Sequence, residues 1–252
     1  DAEKVGEAFQ KKANAANLAE LRKKTPEEIL AATQGGIRFG VTLDGHVLPT
    51  DIFNHFKEGK HNDVPLMAGW VTGDGSITGG QALSAEKFKQ QLREKYGEKA
   101  DEFLKLFPAA TDDEAKAAQL KLGLLSFAAR SAHLWAGFNK SRAYLYQFTH
   151  VPPDKPNFPN YGAFHTSEVP YALHTLHRWN RPWQEVDRQL ENNMADYWVN
   201  FAKTGNPNAK GLPEWKGHDK KSGVVLELGD KVQERPALFK VEFELLDGVQ
   251  VK

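Results

Sequence analysis

The chain has 252 residues, enough for one large domain or two small ones, and its 33 basic and 33 acidic side chains give zero formal net charge. A neutral chain lacks the positive field that binds a phosphate backbone, so we expect no nucleic-acid partner. No uncharged stretch approaches the roughly 18 apolar residues that a membrane span needs, so no membrane segment is expected. The absence of cysteine excludes disulfides, thiolate metal sites and a cysteine nucleophile.

The N-terminal region combines helical patterning with a turn. The first 22 residues repeat apolar side chains at helical spacing, which predicts a helix. A second helix follows, with Thr25 as its N-cap and Glu28 closing a capping box. Residues 37–48 alternate and turn at Asp44. The charged first residues are no signal peptide, and we expect them to belong to the middle of a domain.

The central region contains one buried strand and a long helical stretch. Residues 64–70 form a short apolar run that is typical of a buried parallel strand, and a glycine-rich loop follows at 73–76. Residues 84–138 are charged and helical in pattern, with a second capping box at Thr111.

The C-terminal region alternates strands with helices, which predicts an α/β layered fold. The predicted elements are a strand at 144–148, a proline-rich loop at 151–162, a short helix from Glu168 to Trp179, a long helix opened by Pro182 and stopped by Gly205, and strands at 224–228 and 239–246. The parallel strands are too few for a complete doubly wound sheet, so we expect one half of a larger sheet.

Asp74 lies just after the buried strand at 64–70, with a glycine on each side. These glycines let the backbone turn sharply and leave the carboxylate unobstructed. The carboxyl end of a parallel strand is where open α/β sheets place functional groups. From the residues alone an aspartate in an ordinary turn is the stronger interpretation, because Asp-Gly is a common turn pair.

His165 follows the proline-rich loop and precedes the short helix predicted from Glu168. A histidine on a loop above a sheet can act as a general base, because its pKa lies near neutrality. The chain has nine histidines, so from spacing alone a surface loop histidine is the stronger interpretation.

A histidine pair raises the question of a metal site. His174 and His177 lie one helical turn apart, and two such side chains can share a metal ion. No third ligand stands at a standard spacing, and the HExxH pattern is absent. We therefore expect neither a metal nor another cofactor, and a polar helix face near a cleft is the better interpretation.

The sequence lacks a nucleophile elbow, the turn that presents a catalytic serine within Gly-x-Ser-x-Gly. Ser76, Ser131 and Ser167 all lack the two flanking glycines. The chain therefore has no serine nucleophile of this type of its own.

Two motifs resemble the type B carboxylesterases. Residues 69–76 (GWVTGDGS) resemble the segment of that family that ends in acid-Gly-Ser, and residues 162–168 (GAFHTSE) resemble its Gly-x-x-His-x-x-Glu. Flanking stretches match in the same order, and the likeness extends from about residue 1 to 236: residues 39–49, 181–183, 197–208 and 212–215. Each matching stretch alone is weak evidence for the family, but all of them in the same order are specific for it.

The resemblance implies the C-terminal portion of an α/β-hydrolase fold, with its sheet completed by a missing N-terminal segment. Residues 1–80 would be the part of the core that carries the triad acid, 81–142 a helical cap or regulatory region, and 143–252 the rest of the core with the triad histidine. The family order is serine, acid, then histidine, so the serine is expected before residue 1.

By resemblance, Asp74 is the triad acid, where many members have Glu, and His165 is the catalytic base of a carboxylesterase. Glu168 either helps to orient the site or merely occupies the first turn of its helix. The pocket candidates flank the triad positions in sequence, although such aromatics are more often core residues: Trp70, Phe164, His174 and Trp179.

The implied partners are an N-terminal segment or chain that carries Gly-x-Ser-x-Gly, and a small-molecule ester. The main alternative is a non-catalytic adhesion relative of the same fold, and the retention of Asp74 and His165 argues against it. The sequence leaves the cellular location open, with a secreted or periplasmic one slightly favoured over a cytoplasmic one.

Overall fold

The computed structural model describes residues 2–34, 36–75, 82–158, 161–219, 222–236 and 238–249. The chain divides into two compact units, Asp1–Lys60 and His61–Lys252. The predicted assignment of residues 1–80 and 143–252 to the hydrolase core, and of residues 81–142 to a cap or regulatory region, remains a prediction. No helix within the described ranges is long and apolar enough to cross a membrane.

The first unit contains four short helices: α1 (Ala2–Lys12), α2 (Leu18–Leu21), α3 (Pro26–Thr33) and α4 (Ile52–Lys57). The single helix predicted over the first 22 residues is wrong, because the chain leaves α1 through Asn14, whose φ of 50° is left-handed. The capping box of Thr25 and Glu28 is confirmed. The turn at Asp44 is confirmed too, since its carboxylate accepts three backbone N–H groups at 2.8–2.9 Å.

The first unit buries little apolar surface. Among its described residues only the small side chains of Ala13, Ala15 and Ala32 are buried. Larger apolar side chains stay open to solvent, including Phe39 at 61% and Val47 at 75% exposure. The described part of the first unit therefore gains little stability from the burial of apolar side chains.

The second unit is built on a four-stranded sheet: β1 (Leu66–Val71), β2 (Ala143–Phe148), β3 (Val225–Leu228) and β4 (Val232–Arg235), in that spatial order. The first three strands are parallel, and β4 returns antiparallel to β3. Three strands were predicted from their apolar runs. The fourth was missed because its sequence, VQER, has no apolar run, as suits an edge strand that meets water.

The described residues of the second unit form the helices α5 (Ala85–Tyr96), α6 (Ala100–Leu106), α7 (Asp112–Leu124), α8 (Arg130–Phe138), α9 (Val169–Ala172), α10 (Glu185–Thr204) and α11 (Lys240–Asp247). Short 3₁₀ turns lie at Gly97–Lys99 and Leu176–Arg178, and a π-helical turn at Leu125–Ala129 joins α7 to α8. The stretch predicted to be helical at 84–138 is therefore confirmed as several helices.

Apolar side chains cover both faces of the sheet. Consecutive strand residues point to opposite faces, and Trp70 and Val71 accordingly enter different core clusters, as do Tyr144 and Leu145. The cluster on one face contains residues of α5 to α8 and α11, and the cluster on the other contains residues of α9 and α10. Burial on both faces is typical of a parallel sheet with helices on each side.

The strand predicted at 239–246 is wrong, because these residues form α11. Phe243 and Leu246 are buried there at a spacing of three, which only a helix places on one face. A run whose apolar residues fit both the period of a strand and the period of a helix is ambiguous from sequence alone. Here packing against the helical core selects the helix.

Two predicted helix boundaries are also wrong. The helix expected from Glu168 to Trp179 ends at Ala172, and His174 has a left-handed φ of 54° before the 3₁₀ turn. The long helix begins at Glu185, where Gln184 and Asp187 form the capping box, and not at Pro182.

Two further end signals were predicted. The stop at Gly205 is confirmed by its φ of 72°. At Thr111 the side chain caps the helix, but the Glu114 carboxylate accepts from the N–H of Ala110 and so closes the box one residue earlier than predicted.

Candidate active site

A backbone pairing brings the two candidate catalytic loops together. The Gly73 N–H donates to the Ala163 carbonyl oxygen at 2.7 Å, and Gly73 and Phe164 form a parallel bridge. Residues that follow such a bridge lie beside each other, and here they are Asp74 and His165. The pairing explains how two side chains 91 positions apart in sequence meet.

The chain turns at Asp74 as predicted, and the glycines on each side of it also allow other backbone segments to approach closely. The Asp74 N–H donates to the Val71 carbonyl oxygen at 3.1 Å and closes the turn, although neither Gly73 nor Gly75 has a positive φ. A Cβ at Gly73 would lie 2.2 Å from the Ala163 carbonyl oxygen, and one at Gly75 would lie 1.9 Å from the Leu120 carbonyl oxygen. Both positions need glycine because another backbone occupies the space of a side chain.

Asp74 and His165 make the expected contact. Nδ1 of His165 lies 2.7 Å from Oδ1 of Asp74, and Oδ2 of Asp74 accepts the N–H of Val71 at 2.8 Å. The Asp74 side chain is 6% exposed, whereas that of His165 is 42% exposed. An ionised Asp74 places the proton on Nδ1, and Nε2 makes no hydrogen bond to a described residue, so this nitrogen can exchange a proton with a substrate or nucleophile.

Glu168 lies beside this pair as a partly buried carboxylate. It precedes α9 without making a side-chain cap, and its Oε2 atom is buried with no hydrogen-bond partner among the described residues. Burial raises the pKa of Glu168, the negative charge of Asp74 raises it further, and His165 opposes the change. Its role in orienting the site stays a prediction.

The four pocket candidates occupy different surroundings. Phe164 belongs to the bridge beside His165, and the Arg181 guanidinium lies 5.7 Å above its ring. Trp70 is 3% exposed and lies within the apolar core, which agrees with the interpretation that such aromatic side chains are core residues.

The other two candidates, His174 and Trp179, are exposed, and no contact within the described ranges joins either to Asp74 or His165. His174 instead bonds Asn192 at 3.0 Å through Nε2. No cluster of three or more potential metal ligands occurs within the described part of the chain. Ser76, the last residue of the predicted loop, lies outside that part.

Two residues near the site carried no sequence signal. The Phe127 ring, on the π-helical turn, makes an edge contact with the His165 ring at a centroid distance of 6.3 Å. Tyr146 lies in β2, where burial and then the carboxylates of Glu168 and Asp74 raise the pKa of its hydroxyl. Both are distant from the motifs in sequence, so only the folded chain places them here.

A second histidine–carboxylate network was also missed. Nδ1 of His150 lies 2.6 Å from Asp230 and Nε2 lies 2.8 Å from Asp187, so both ring nitrogens are engaged. Asp187 also accepts the Tyr171 hydroxyl at 2.7 Å and the Gln184 N–H at 2.8 Å. The network joins the end of β2, the start of α10, α9 and the β3–β4 turn.

Among curated proteins, human cocaine esterase is 40% identical over 85 residues, which is 32% of this chain and 15% of that protein. Rat carboxylesterase 1C is 26% identical over 262 aligned positions, 89% of this chain and 45% of that protein. Where the match runs over most of the chain, it therefore spans about half the length of the relative.

Solved structures with the same fold include a PNB esterase (TM-score 0.74, 20% identity, 97% of this chain and 54% of that one) and a Geobacillus stearothermophilus carboxylesterase (TM-score 0.72, 20% identity, 96% and 54%). The predicted portion of an α/β-hydrolase fold is thereby confirmed. The carboxylesterase family model matches residues 82–245, more than half of the chain. The chain therefore belongs to the carboxylesterase family.

Proposed function

We propose that this chain supplies the acid and the base of a carboxylic ester hydrolase. The nucleophilic serine and the oxyanion hole would come from an N-terminal segment or partner chain that carries Gly-x-Ser-x-Gly. The observation that carries the proposal is the 2.7 Å contact between Asp74 and His165, which leaves Nε2 of a half-exposed imidazole available.

The proposed reaction is acyl transfer to water. The serine attacks the ester carbonyl while Nε2 of His165 takes its proton, and the same proton then goes to the leaving alkoxide. Asp74 holds the Nδ1–H tautomer and stabilises the imidazolium that forms. A water then attacks the acyl-enzyme with His165 again as base, and the proton taken from this water returns to the serine oxygen as the carboxylic acid leaves. Backbone N–H groups of the second segment would stabilise the oxyanion, which is usually the largest single contribution.

Three features support a second segment. The family members with matches over most of this chain are about twice its length. Among the described strands, β1 pairs only with β2, so its other edge has no described partner. The first unit exposes Phe39, Val41 and Val47, and the buried residues among those described in it are all alanines. An open sheet edge and exposed apolar side chains both favour pairing with more protein.

The proposal is tested by complementation. The chain is purified alone and together with a family segment that carries Gly-x-Ser-x-Gly, and hydrolysis of a short p-nitrophenyl ester is measured. We expect no turnover from the chain alone, and turnover by the pair that His165→Ala abolishes. His177→Ala is the matched control and should stay within roughly tenfold, about 1.4 kcal/mol.

Two outcomes would contradict the proposal. Turnover by the isolated chain would show that the serine is not supplied from outside. A folded pair that neither hydrolyses esters nor reacts with a fluorophosphonate serine probe would favour a non-catalytic relative.

A further inference from the structure

The helix that crosses the site has an irregularity that the proposed reaction does not use. Between α7 and α8 the chain forms a π-helical turn at Leu125–Ala129. A π turn is rare, interrupts the regular hydrogen bonding of an α-helix, and is frequently found at functional sites. Here its two ends, Leu125 and Ala129, are fully buried, so the turn is anchored on both sides.

The helix before this turn contacts the acid side of the pair. A Cβ on Gly75 would lie 1.9 Å from the Leu120 carbonyl oxygen and 2.9 Å from the Leu124 nitrogen. The backbone of α7 therefore lies directly against the residue that follows Asp74. The position of the π turn is thus tied to the loop that carries the acid.

The turn itself contacts the base side. Phe127 lies at its centre, and its ring meets the His165 ring at a centroid distance of 6.3 Å and an interplanar angle of 70°. This is an edge-to-face arrangement within the usual distance range of aromatic pairs. His165 is 42% exposed, and among the described residues its side chain has one hydrogen-bond partner, Asp74. A ring held at one atom can still rotate, and contact with a second ring restricts that rotation.

We propose that Phe127 is a positioning residue for His165, presented by the π-helical turn so that one helix aligns both the acid loop and the imidazole. Phe127 acts through His165 and does not contact the reacting atoms. The catalytic consequence rests on the proposed function, whereas the restriction of the imidazole does not.

The first test reads the imidazole directly in the full chain. A proton shared between Nδ1 of His165 and Asp74 gives a low-field proton NMR signal, which Asp74→Asn should remove and so assign. We expect Phe127→Leu to broaden or weaken this signal by faster exchange, and Phe127→Tyr to restore it. Trp135→Leu, which changes an exposed aromatic residue of α8, is the matched control and should leave it unchanged.

An unchanged signal in Phe127→Leu would overturn the proposal, whatever the outcome for ester hydrolysis. Phe127 is 47% exposed, so its truncation should leave the fold intact. If Phe127→Leu does not fold, Phe127→Met provides the same comparison with an unbranched side chain.

The second test uses the assembled esterase. The loss of one aromatic pair should lower kcat about three- to tenfold, with KM unchanged for both a short and a long acyl ester. Recovery of kcat in Phe127→Tyr supports the proposal. A change in KM that grows with the length of the acyl chain would overturn it, because that result assigns Phe127 to the wall of the substrate site.

Discussion

Two histidines of this chain contact carboxylates, and their surroundings differ in two respects. His165 bonds Asp74 through Nδ1 alone and is 42% exposed, whereas His150 bonds Asp230 and Asp187 through both ring nitrogens and is 5% exposed. The three contacts have nearly the same length, 2.7 Å at His165 and 2.6 and 2.8 Å at His150. Distance alone therefore does not separate a site for chemistry from a structural link.

The two histidines differ at Nε2, which in His165 has no hydrogen-bond partner within the described ranges. A general base needs one ring nitrogen to hold its orienting carboxylate and the other to exchange protons. His165 meets this requirement, while His150 has no nitrogen left and connects four parts of the fold. The comparison predicts opposite effects of mutation: loss of chemistry without loss of fold at His165, and loss of fold without a specific loss of chemistry at His150.

The largest expected effect is on turnover. In the proposed two-segment esterase, His165→Ala should lower kcat by about 10⁶-fold, because the members of a triad act as a unit, and its unfolding curve should match that of the parent. His150→Ala should instead lower the unfolding midpoint while each folded molecule retains its turnover. Equal turnover in folded His165→Ala and the parent would refute the distinction.

Asp74→Asn tests the orienting carboxylate. The amide keeps the size of the side chain but favours the wrong tautomer of His165, so kcat should fall by up to about 10⁴-fold. Asp74→Glu should lose less, since many relatives have Glu at this position, although the longer side chain must fit beside the Val71 N–H. Steady-state kinetics on both variants checks the order, and a larger loss in Asp74→Glu would contradict it.

The two carboxylates of the His150 network should differ in their effect on stability. Asp187 is 1% exposed and serves three donors, so Asp187→Ala should lower the free energy of unfolding by about 3–5 kcal/mol. Asp230 is 82% exposed, and Asp230→Ala should change the free energy of unfolding by about 1 kcal/mol or less. Urea unfolding measures both, and equal effects would show that burial does not set their contributions.

The smallest expected effect concerns pH and Glu168. Burial and the charge of Asp74 raise the pKa of Glu168 in the folded chain, so the folded state holds its proton at pH values where the unfolded state has lost it. This contribution to stability is complete at acid pH and is lost as pH rises through the folded-state pKa. Compared with the parent at the same pH, Glu168→Gln should therefore be more stable at neutral pH than at acid pH. Urea unfolding from about pH 4 to pH 8 tests this, and a pH-independent difference would contradict it.

Local signals in the sequence determined much of the fold. The N-caps at Thr25 and Thr111, the stop at Gly205 and the apolar run of β1 depend on residues within a few positions of each other. Such interactions form in the same way wherever the segment lies. The motifs around Asp74 and His165 identified the family for the same reason, since each motif is short and contiguous.

The tertiary structure decided what depends on contacts between distant segments. It made residues 239–246 a helix, because Phe243 and Leu246 pack on one core. It joined His150 to Asp187 and Asp230, and it set Phe127 against His165. It also gave the glycines beside Asp74 their reason, which is the backbone that passes within 2.2 Å of where a side chain would begin. The sequence by itself thus determined which residues carry groups suited to chemistry, and packing determined which of the two histidines has a ring nitrogen without a partner among the described residues.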